Sequence, residues 1–158
     1  DALAVALLES RGFTEEDFAR SHPGGSLGRR LLLLIDELMH TGDAIPRVGL
    51  DTPLSDALME MSRKGLGMTA VVDDQGKLAG VFTDGDLRRT IDHKIDLHAA
   101  QVRDVMTANC KTVHPGMLAA EALQIMDSTK INALPVVDTD NELVGALNMH
   151  DLLRAGVV

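Results

Sequence analysis

The chain has 158 residues, a net charge of -9, 45% hydrophobic and 25% charged residues, which is typical of one globular domain or of two small ones that share a core. The acidic balance, with three Phe as the only aromatic residues, argues against nucleic-acid binding, which needs clustered cations or stacking rings. Apolar runs such as Leu31–Ile35 are far below the ~18 residues of a membrane span, so we expect no membrane partner.

The single cysteine, Cys110, excludes an internal disulfide and fits a reducing compartment, so we expect a cytoplasmic protein. No motif surrounds Cys110, which favours a structural role over that of a nucleophile. The chain does not begin with Met and starts inside an apolar stretch, so we expect it to be a piece of a longer protein.

The N-terminal part is predicted to be helical. Apolar spacing predicts a helix over Asp1–Glu9 and a short helix over Glu15–Arg20. The segment Ser21–Gly28 contains three glycines and a proline and is predicted to be a loop. The following stretch, Leu31–Met39, fits either a helix or a strand.

The rest of the chain is duplicated. The segment Gly80–Leu87 returns 65 positions later as Gly145–Leu152, inside a longer repeated stretch. Such a repeat indicates two copies of one folding unit. Each copy is too small to bury enough surface alone, so we expect the two to share one core.

Both copies predict the same order of elements, strand, helix, two hairpin strands and a second helix, which gives a mixed α/β (α+β) fold. The extended pieces are expected at 46–48 and 111–113, the first helices near Leu54 and Leu118, the hairpin strands at 69–72, 78–82, 134–137 and 143–147, and the second helices from Asp86 and Asp151.

This order, with the pattern Gly-x-x-Thr-x-x-Asp at Gly80–Asp86, resembles the CBS domain pair over about residues 35–156. The strand Pro135–Asp138 and the methionines Met39 and Met106 before the first strands add to the resemblance. It implies tandem β-α-β-β-α repeats that pack around a pseudo-twofold axis and leave two clefts for adenosyl or other nucleotide ligands.

Three segments follow from this resemblance. Residues 35–92 form the first repeat and residues 93–158 the second. Residues 1–34 precede them as the end of another domain and a linker.

Thr83 and Asp86 are the main candidates for ligand contacts. An Asp carboxylate can accept both hydroxyl protons of a ribose, and a Thr hydroxyl can add a contact. The free N–H groups at the helix start favour a phosphate, with Arg88 and Arg89 as counter-charges. The alternative is that Asp86 only caps its helix, and both roles can coexist.

The resemblance also implies the walls of the two clefts, although these positions fit ordinary core residues equally well. In the second copy Asn148 replaces the threonine between bulky neighbours, so we expect the clefts to differ and the one with Thr83 to be occupied. The expected wall of the first cleft is Ile45, Pro46, Met68, Thr69 and Ala70. The second cleft is expected to contain Asn148 and Asp151 with Cys110, Lys111, Ala133, Leu134 and Pro135.

A metal site is not expected. His93 and His98, with Asp92 and Asp96, match no standard metal-ligand spacing and are typical of a polar linker between the repeats.

The first forty residues resemble the end of the sugar-isomerase (SIS) domain of bacterial D-arabinose 5-phosphate isomerases, chiefly in Ser21–Leu31. Those enzymes interconvert D-ribulose 5-phosphate and D-arabinose 5-phosphate for Kdo and lipopolysaccharide synthesis. His22 matches the family's histidine, and histidine suits the proton transfers of isomerisation. A packing or capping role for His22 remains open. The sheet and phosphate loops of such a domain are absent here, so we expect no isomerase activity from this chain alone.

Two functions remain in competition. The first is a regulatory module that senses a nucleotide or nucleotide sugar, CMP-Kdo, AMP or ATP, and biases its own SIS catalytic domain within a homo-oligomer, a CBS-mediated dimer or a tetrameric parent. It would need no catalytic cofactor. The second is a structural, dimer-forming module with empty clefts. The same pair attached to another sugar-phosphate enzyme or to a transporter is a third option.

Overall fold

The structure is a computed structural model and describes residues 32–157. The predicted N-terminal helices, the Ser21–Gly28 loop and His22 lie outside the described residues. Leu31–Met39 was predicted to be a helix or a strand. Its described part is mixed: Leu32 is helical, Leu34 forms a single bridge with Leu118, and a 3₁₀ turn spans Ile35–Glu37. This turn is anchored where the N–H of Ile35 donates to the carbonyl of Met117 at 2.9 Å.

The expected order of elements is confirmed, except that the leading strand of the second repeat is reduced to one bridge. The first repeat contains a 3₁₀ turn at Gly42–Ala44, β1 (Arg47–Gly49), α1 (Leu54–Lys64), β2 (Met68–Val72), β3 (Leu78–Thr83) and α2 (Asp84–Asp92). The second contains α3 (Val102–Val105), β4 (Thr107–Ala108), α4 (Ala119–Thr129), β5 (Ala133–Val137), β6 (Leu143–Asn148) and α5 (Met149–Arg154). The fold is therefore α+β, and no helix in residues 32–157 has the length and apolarity that a bilayer crossing requires.

The apolar periodicity of α1 explains its position. Leu54, Ala57 and Met61 lie on one face and are buried in the first repeat's core. The helix ends at Gly65, whose φ of 73° is the left-handed conformation that favours glycine. In α4 the three equivalent residues, Ala119, Ala122 and Met126, are buried in the same way.

Helix α2 begins at Asp84, two residues before the predicted start at Asp86. The reason is a capping box, in which Thr83 Oγ1 accepts from the N–H of Asp86 and the Asp86 carboxylate accepts from the N–H of Thr83. Asn148 and Asp151 form the same box at the start of α5. The threonine and asparagine are therefore the N-caps, and the aspartates lie inside the first turn.

Each repeat extends the other repeat's sheet. The first sheet has the order β1-β2-β3-β4, and its last strand comes from the second half of the chain, with Gly80 opposite Ala108. His40, which precedes β1 of the first repeat, forms the equivalent bridge with Ala146 of β6 in the second repeat. The two leading segments are thus exchanged between the repeats. The segment before β1 pairs with the second repeat's sheet, and the segment after α3 pairs with the first repeat's sheet.

The two predicted leading strands differ in extent. β1 pairs in parallel with β2 over three residues. The equivalent piece predicted at 111–113 contributes one bridge, from Val113 to Val136, and is otherwise irregular.

The exchanged segments approach their partner sheets closely at two glycines. A methyl group on Gly80 would lie 2.5 Å from the carbonyl oxygen of Thr107 and 3.1 Å from the sulfur of Met106. At Gly145 it would lie 2.6 Å from the sulfur of Met39. Glycine is therefore required at Gly80 by backbone contact.

The shared core expected from the size of the repeats is present. Ile45, Met68 and Ala70 of the first repeat pack with Leu143 and Ala146 of the second, and all five are buried. Two further clusters fill the interior of each repeat. The pair is thus one packed unit.

The β2-β3 and β5-β6 turns also meet across the pseudo-twofold axis. Lys77 bridges Glu142, its own equivalent in the second repeat. Beside this bridge, the side-chain amide of Asn141 donates to the carbonyl of Leu78 at 3.0 Å.

Candidate functional site

A cavity of about 500 Å³ lies between the repeats at the start of α2, and its size suits a drug-sized or nucleotide-sized ligand. The first repeat lines it with Leu66, Gly67, Val81, Thr83, Asp84, Gly85, Arg88 and Arg89. The second repeat lines it with Thr107, Asn109, Cys110, Lys111, Thr129, Lys130, Ile131, Asn132, Ala133 and Pro135.

The cavity wall is cationic although the protein is acidic. Arg88, Arg89, Lys111 and Lys130 line it, and Asp84 is the one carboxylate among the lining residues. The N-terminal turn of α2 adds partly positive N–H groups to the same wall. A concave wall in which one sign of charge predominates concentrates oppositely charged ligands, so the cavity attracts anions.

Asp86 lies beneath this wall, with 3% of its surface exposed. Its Oδ2 accepts from the N–H of Thr83 at 2.9 Å and from the Thr83 hydroxyl at 3.1 Å. Its Oδ1 accepts from the Thr107 hydroxyl at 2.7 Å and from the Arg89 guanidinium. The capping alternative for Asp86 is therefore realised here, and the carboxylate holds in place three residues that line the cavity.

Cys110 also lines the cavity. Burial raises the pKa of its thiol, and the nearby negative charge of Asp86 acts in the same direction. The thiol is therefore protonated at neutral pH, which disfavours a nucleophilic role.

The expected walls of the two clefts are arranged differently in the structure. Thr83 faces Cys110, Lys111, Ala133 and Pro135, which were expected in the second cleft. The physical reason is the exchange of leading segments, which brings the residues after β4 to the first repeat's sheet. The residues expected around Thr83 do not line the cavity and are buried in or beside the core: Ile45, Pro46, Met68, Thr69 and Ala70. Leu134 is likewise buried, in the core of the second repeat.

The equivalent position in the second repeat holds an ion pair. His40 Nε2 lies 2.9 Å and Arg154 Nη2 lies 2.6 Å from Oδ1 of Asp151. Burial acts to raise the pKa of Asp151, but hydrogen bonds from Asn148, His40 and Arg154, with the charge of His40, lower it below its usual value. His40 thus takes the place that Thr107 has beside Asp86.

The second cleft also differs in the residues that surround its helix start. Where α2 has Asp84, Gly85 and Arg88, the equivalent positions of α5 have Met149, His150 and Leu153. Bulkier side chains and one fewer cation therefore surround the second helix start.

Among the residues of this region that sequence reasoning missed, four bear most directly on the site. Lys130 and Asn109 line the cavity, Thr107 holds Asp86, and His40 holds Asp151. The sequence could have indicated two of them, since Thr107 and His40 occupy the same position, directly after the methionines Met106 and Met39 that mark the leading segments.

The predicted linker carries polar side chains. Asp92, His93, Asp96 and His98 are exposed at and after the end of α2. In the part of the chain that the structure describes, no three His, Cys, Asp or Glu side chains are grouped to hold a metal ion.

The chain matches the CBS domain family over residues 35–93 and 102–158. Among curated proteins, the arabinose 5-phosphate isomerase KdsD of Pseudomonas aeruginosa is 65% identical over all 158 residues, and that of Escherichia coli K12 is 57% identical. In both cases the match covers 100% of this chain and 48% of the relative, so the chain spans about half the length of these relatives.

Solved structures of CBS pairs share the fold. CBSX2 from Arabidopsis thaliana, solved in complex with AMP, has a TM-score of 0.67 and 27% identity, with 79% of this chain and 96% of that chain covered. The CBS pair of protein MJ0100, solved with 5-methylthioadenosine and S-adenosyl-L-methionine, has a TM-score of 0.69 and 21% identity, with 77% and 93% covered. The chain therefore belongs to the CBS domain family and carries two copies of the domain.

Proposed function

We propose that this chain is the regulatory, nucleotide-sensing CBS pair of a D-arabinose 5-phosphate isomerase. The observation that carries the proposal is the nucleotide-sized cavity, lined by four cations in a protein of net charge -9. The names of the curated relatives support the choice of parent enzyme, and the AMP complex of CBSX2 supports the class of ligand.

The cavity offers separate places for the parts of a nucleotide. Phosphate groups fit the cationic side and the N-terminal turn of α2. A ribose hydroxyl fits Thr83, whose own hydroxyl is oriented by Asp86. The base fits the apolar part of the wall, which is formed by Leu66, Val81, Ile131, Ala133 and Pro135.

The effector could act on the parent enzyme through the segment that precedes the first repeat. Leu34 forms a β-bridge with Leu118, and the N–H of Ile35 donates a hydrogen bond to the carbonyl of Met117, so this segment is fixed to the second repeat. A ligand that binds one arrangement of the repeats more tightly would shift the position of this segment. In the parent, His22 would belong to the isomerase active site, and CMP-Kdo would act as an end-product effector in Kdo and lipopolysaccharide synthesis.

Isothermal titration of the chain with AMP, ATP, CMP and CMP-Kdo tests the proposal. We expect saturable binding of at least one of them. Replacing Arg88 by leucine, its counterpart at Leu153, should weaken that binding about tenfold, the equivalent of ~1.4 kcal/mol. The matched control is Arg63→Leu, which removes an exposed cation outside the cavity. Heat from none of the four compounds would refute the proposal.

A structural role in oligomer formation is the second candidate, because two large apolar side chains on the first repeat's helices are exposed. Met59 on α1 is 65% exposed and Ile91 on α2 is 54% exposed. In this case light scattering should show a homodimer that Met59→Lys dissociates. The two functions are compatible, and a dimer that binds no nucleotide would favour this one alone.

A further inference from the structure

The two repeats differ where the backbone adopts a left-handed conformation. Helix α1 ends at Gly65 with a φ of 73°, and helix α4 ends at the equivalent Lys130 with a φ of 59°. Glycine adopts this conformation without strain, whereas a lysine is uncommon there.

The backbone of the cap does not require a lysine. The N–H of Lys130 donates to the carbonyl of Met126, and the N–H of Gly65 makes the same bond to Met61. Among residues 32–157, the Lys130 ammonium makes no hydrogen bond or ion pair. A glycine would therefore serve the cap at least as well, and the side chain needs another explanation.

A second position shows the same difference. Asn109 follows Met106 by three residues and has a φ of 52°, and Gly42 follows Met39 by three residues and has a φ of 58°. Asparagine tolerates this conformation better than lysine but less well than glycine.

A third such position, Asn141 with a φ of 62° opposite Gly76 with a φ of 81°, lies in the β5-β6 turn outside the cavity. The side chains of Lys130 and Asn109, in contrast, lie in one place. Lys130 and Asn109 line the cationic cavity beside Thr83, together with Arg88 and Lys111. Their glycine counterparts carry no side chains to the equivalent region of the second repeat. Strained backbone tends to persist where function requires it, and here both positions serve the same cavity.

We propose that Lys130 and Asn109 are ligand-binding residues that make the cavity the single anion site of the pair, and that they select a ligand with more than one phosphate. The inference deepens the proposed function and rests on the cavity as a nucleotide site. Three cations of the wall, Arg88, Lys111 and Lys130, have no ion-pair partner within residues 32–157, and their summed charge exceeds the roughly -1.5 to -2 of a single phosphate group. The asparagine amide adds a neutral donor to the same wall.

The test uses Lys130→Gly and Asn109→Gly. Because glycine relieves the strain, each variant should melt about 2 to 4 °C above the unsubstituted chain. At the same time, Lys130→Gly should weaken ATP binding about tenfold and AMP binding by a smaller factor. A residue with only a structural role would not raise stability and weaken binding together.

The matched control is Lys94→Gly. Lys94 is an exposed lysine with a φ of 56° outside the cavity, so the change removes the same charge and relieves the same strain. We expect it to raise the melting temperature and to leave the affinity for ATP unchanged.

Calorimetry with AMP, ATP, CMP and sodium tripolyphosphate separates this inference from the proposed function. If tripolyphosphate binds once per chain and Lys130→Gly weakens it while no nucleotide binds, the nucleotide function fails and the inference stands. If a nucleotide binds equally well to Lys130→Gly, the inference is overturned and the nucleotide function stands. Two ligands per chain, no binding of any anion, or a lower melting temperature of Lys130→Gly would also overturn it.

Discussion

His40 Nε2 lies 2.9 Å from Oδ1 of Asp151, a residue 111 positions further along the chain. The bond attaches the segment before the first repeat to the last helix of the second. The equivalent bond in the first repeat, from Thr107 to Asp86, has a hydroxyl in place of the imidazole. The two attachments are thus equivalent in position and differ in the group that holds the aspartate.

The first prediction concerns acid stability. Because the folded state lowers the pKa of Asp151, its carboxylate stabilises the protein fully above its unfolded pKa of about 3.9 and loses this effect as the pH falls through the folded value. Urea unfolding of Asp151→Asn should therefore show lower stability at pH 7 and a smaller further loss below pH 4 than the unsubstituted chain. An identical acid loss in the two proteins would contradict the assignment.

The second prediction compares the two close glycines. Gly80→Ala should lower the free energy of unfolding by about 2 to 3 kcal/mol, because the new methyl group meets the backbone carbonyl of Thr107. Gly145→Ala should cost about 1 kcal/mol, because its two nearest contacts are to the side chain of Met39, which can move, and the backbone oxygen of His40 is further away, at 3.2 Å. Urea unfolding measures both, and equal losses would mean that the two segments are held alike.

The third prediction concerns the bond beneath the cavity. Thr107→Val removes the hydroxyl that donates to Asp86 and should cost about 1.5 to 3 kcal/mol, the usual value for a hydrogen bond to a charged group. Thr107→Ser keeps the hydroxyl and should retain most of the stability in the same urea experiment. If valine and serine behave alike, the hydroxyl contributes nothing.

The fourth prediction uses the single cysteine as a reporter. Since burial raises the pKa of Cys110, its alkylation by iodoacetamide at pH 7.5 should be slower than that of a free thiol. A nucleotide in the cavity should slow it further, because Cys110 lines the wall. Mass spectrometry measures both rates, and alkylation at one rate with and without a saturating ligand would place the ligand elsewhere.

The local elements could be predicted well from the sequence. Apolar periodicity and turn residues located the start of the helix at Leu54 and the bounds of the hairpin strands to within one residue. The start of α2 was placed two residues late, because the pattern alone could not show that Thr83, rather than Asp86, is the N-cap.

The cleft walls could not be predicted in the same way. The expectation paired Thr83 with Met68, which precedes it in the same repeat. Met68 is the partner of Thr83 in the sheet but is buried in the core, whereas Lys111 and Pro135 line the cavity with Thr83, because a strand from the other half of the chain adds to its sheet. Sequence order carries no information about which of two similar sheets a short segment joins.

The exchange of leading segments has a consequence for how this module can be divided. A chain cut between residues 93 and 101 would leave the first half without the strand that covers β3, and the second half without the segment that covers β6. Each half would expose an unpaired sheet edge, which favours pairing with another copy of the same half. The smallest unit that folds with complete sheets is accordingly the whole pair. A lone half would recover its missing strand only from a second chain.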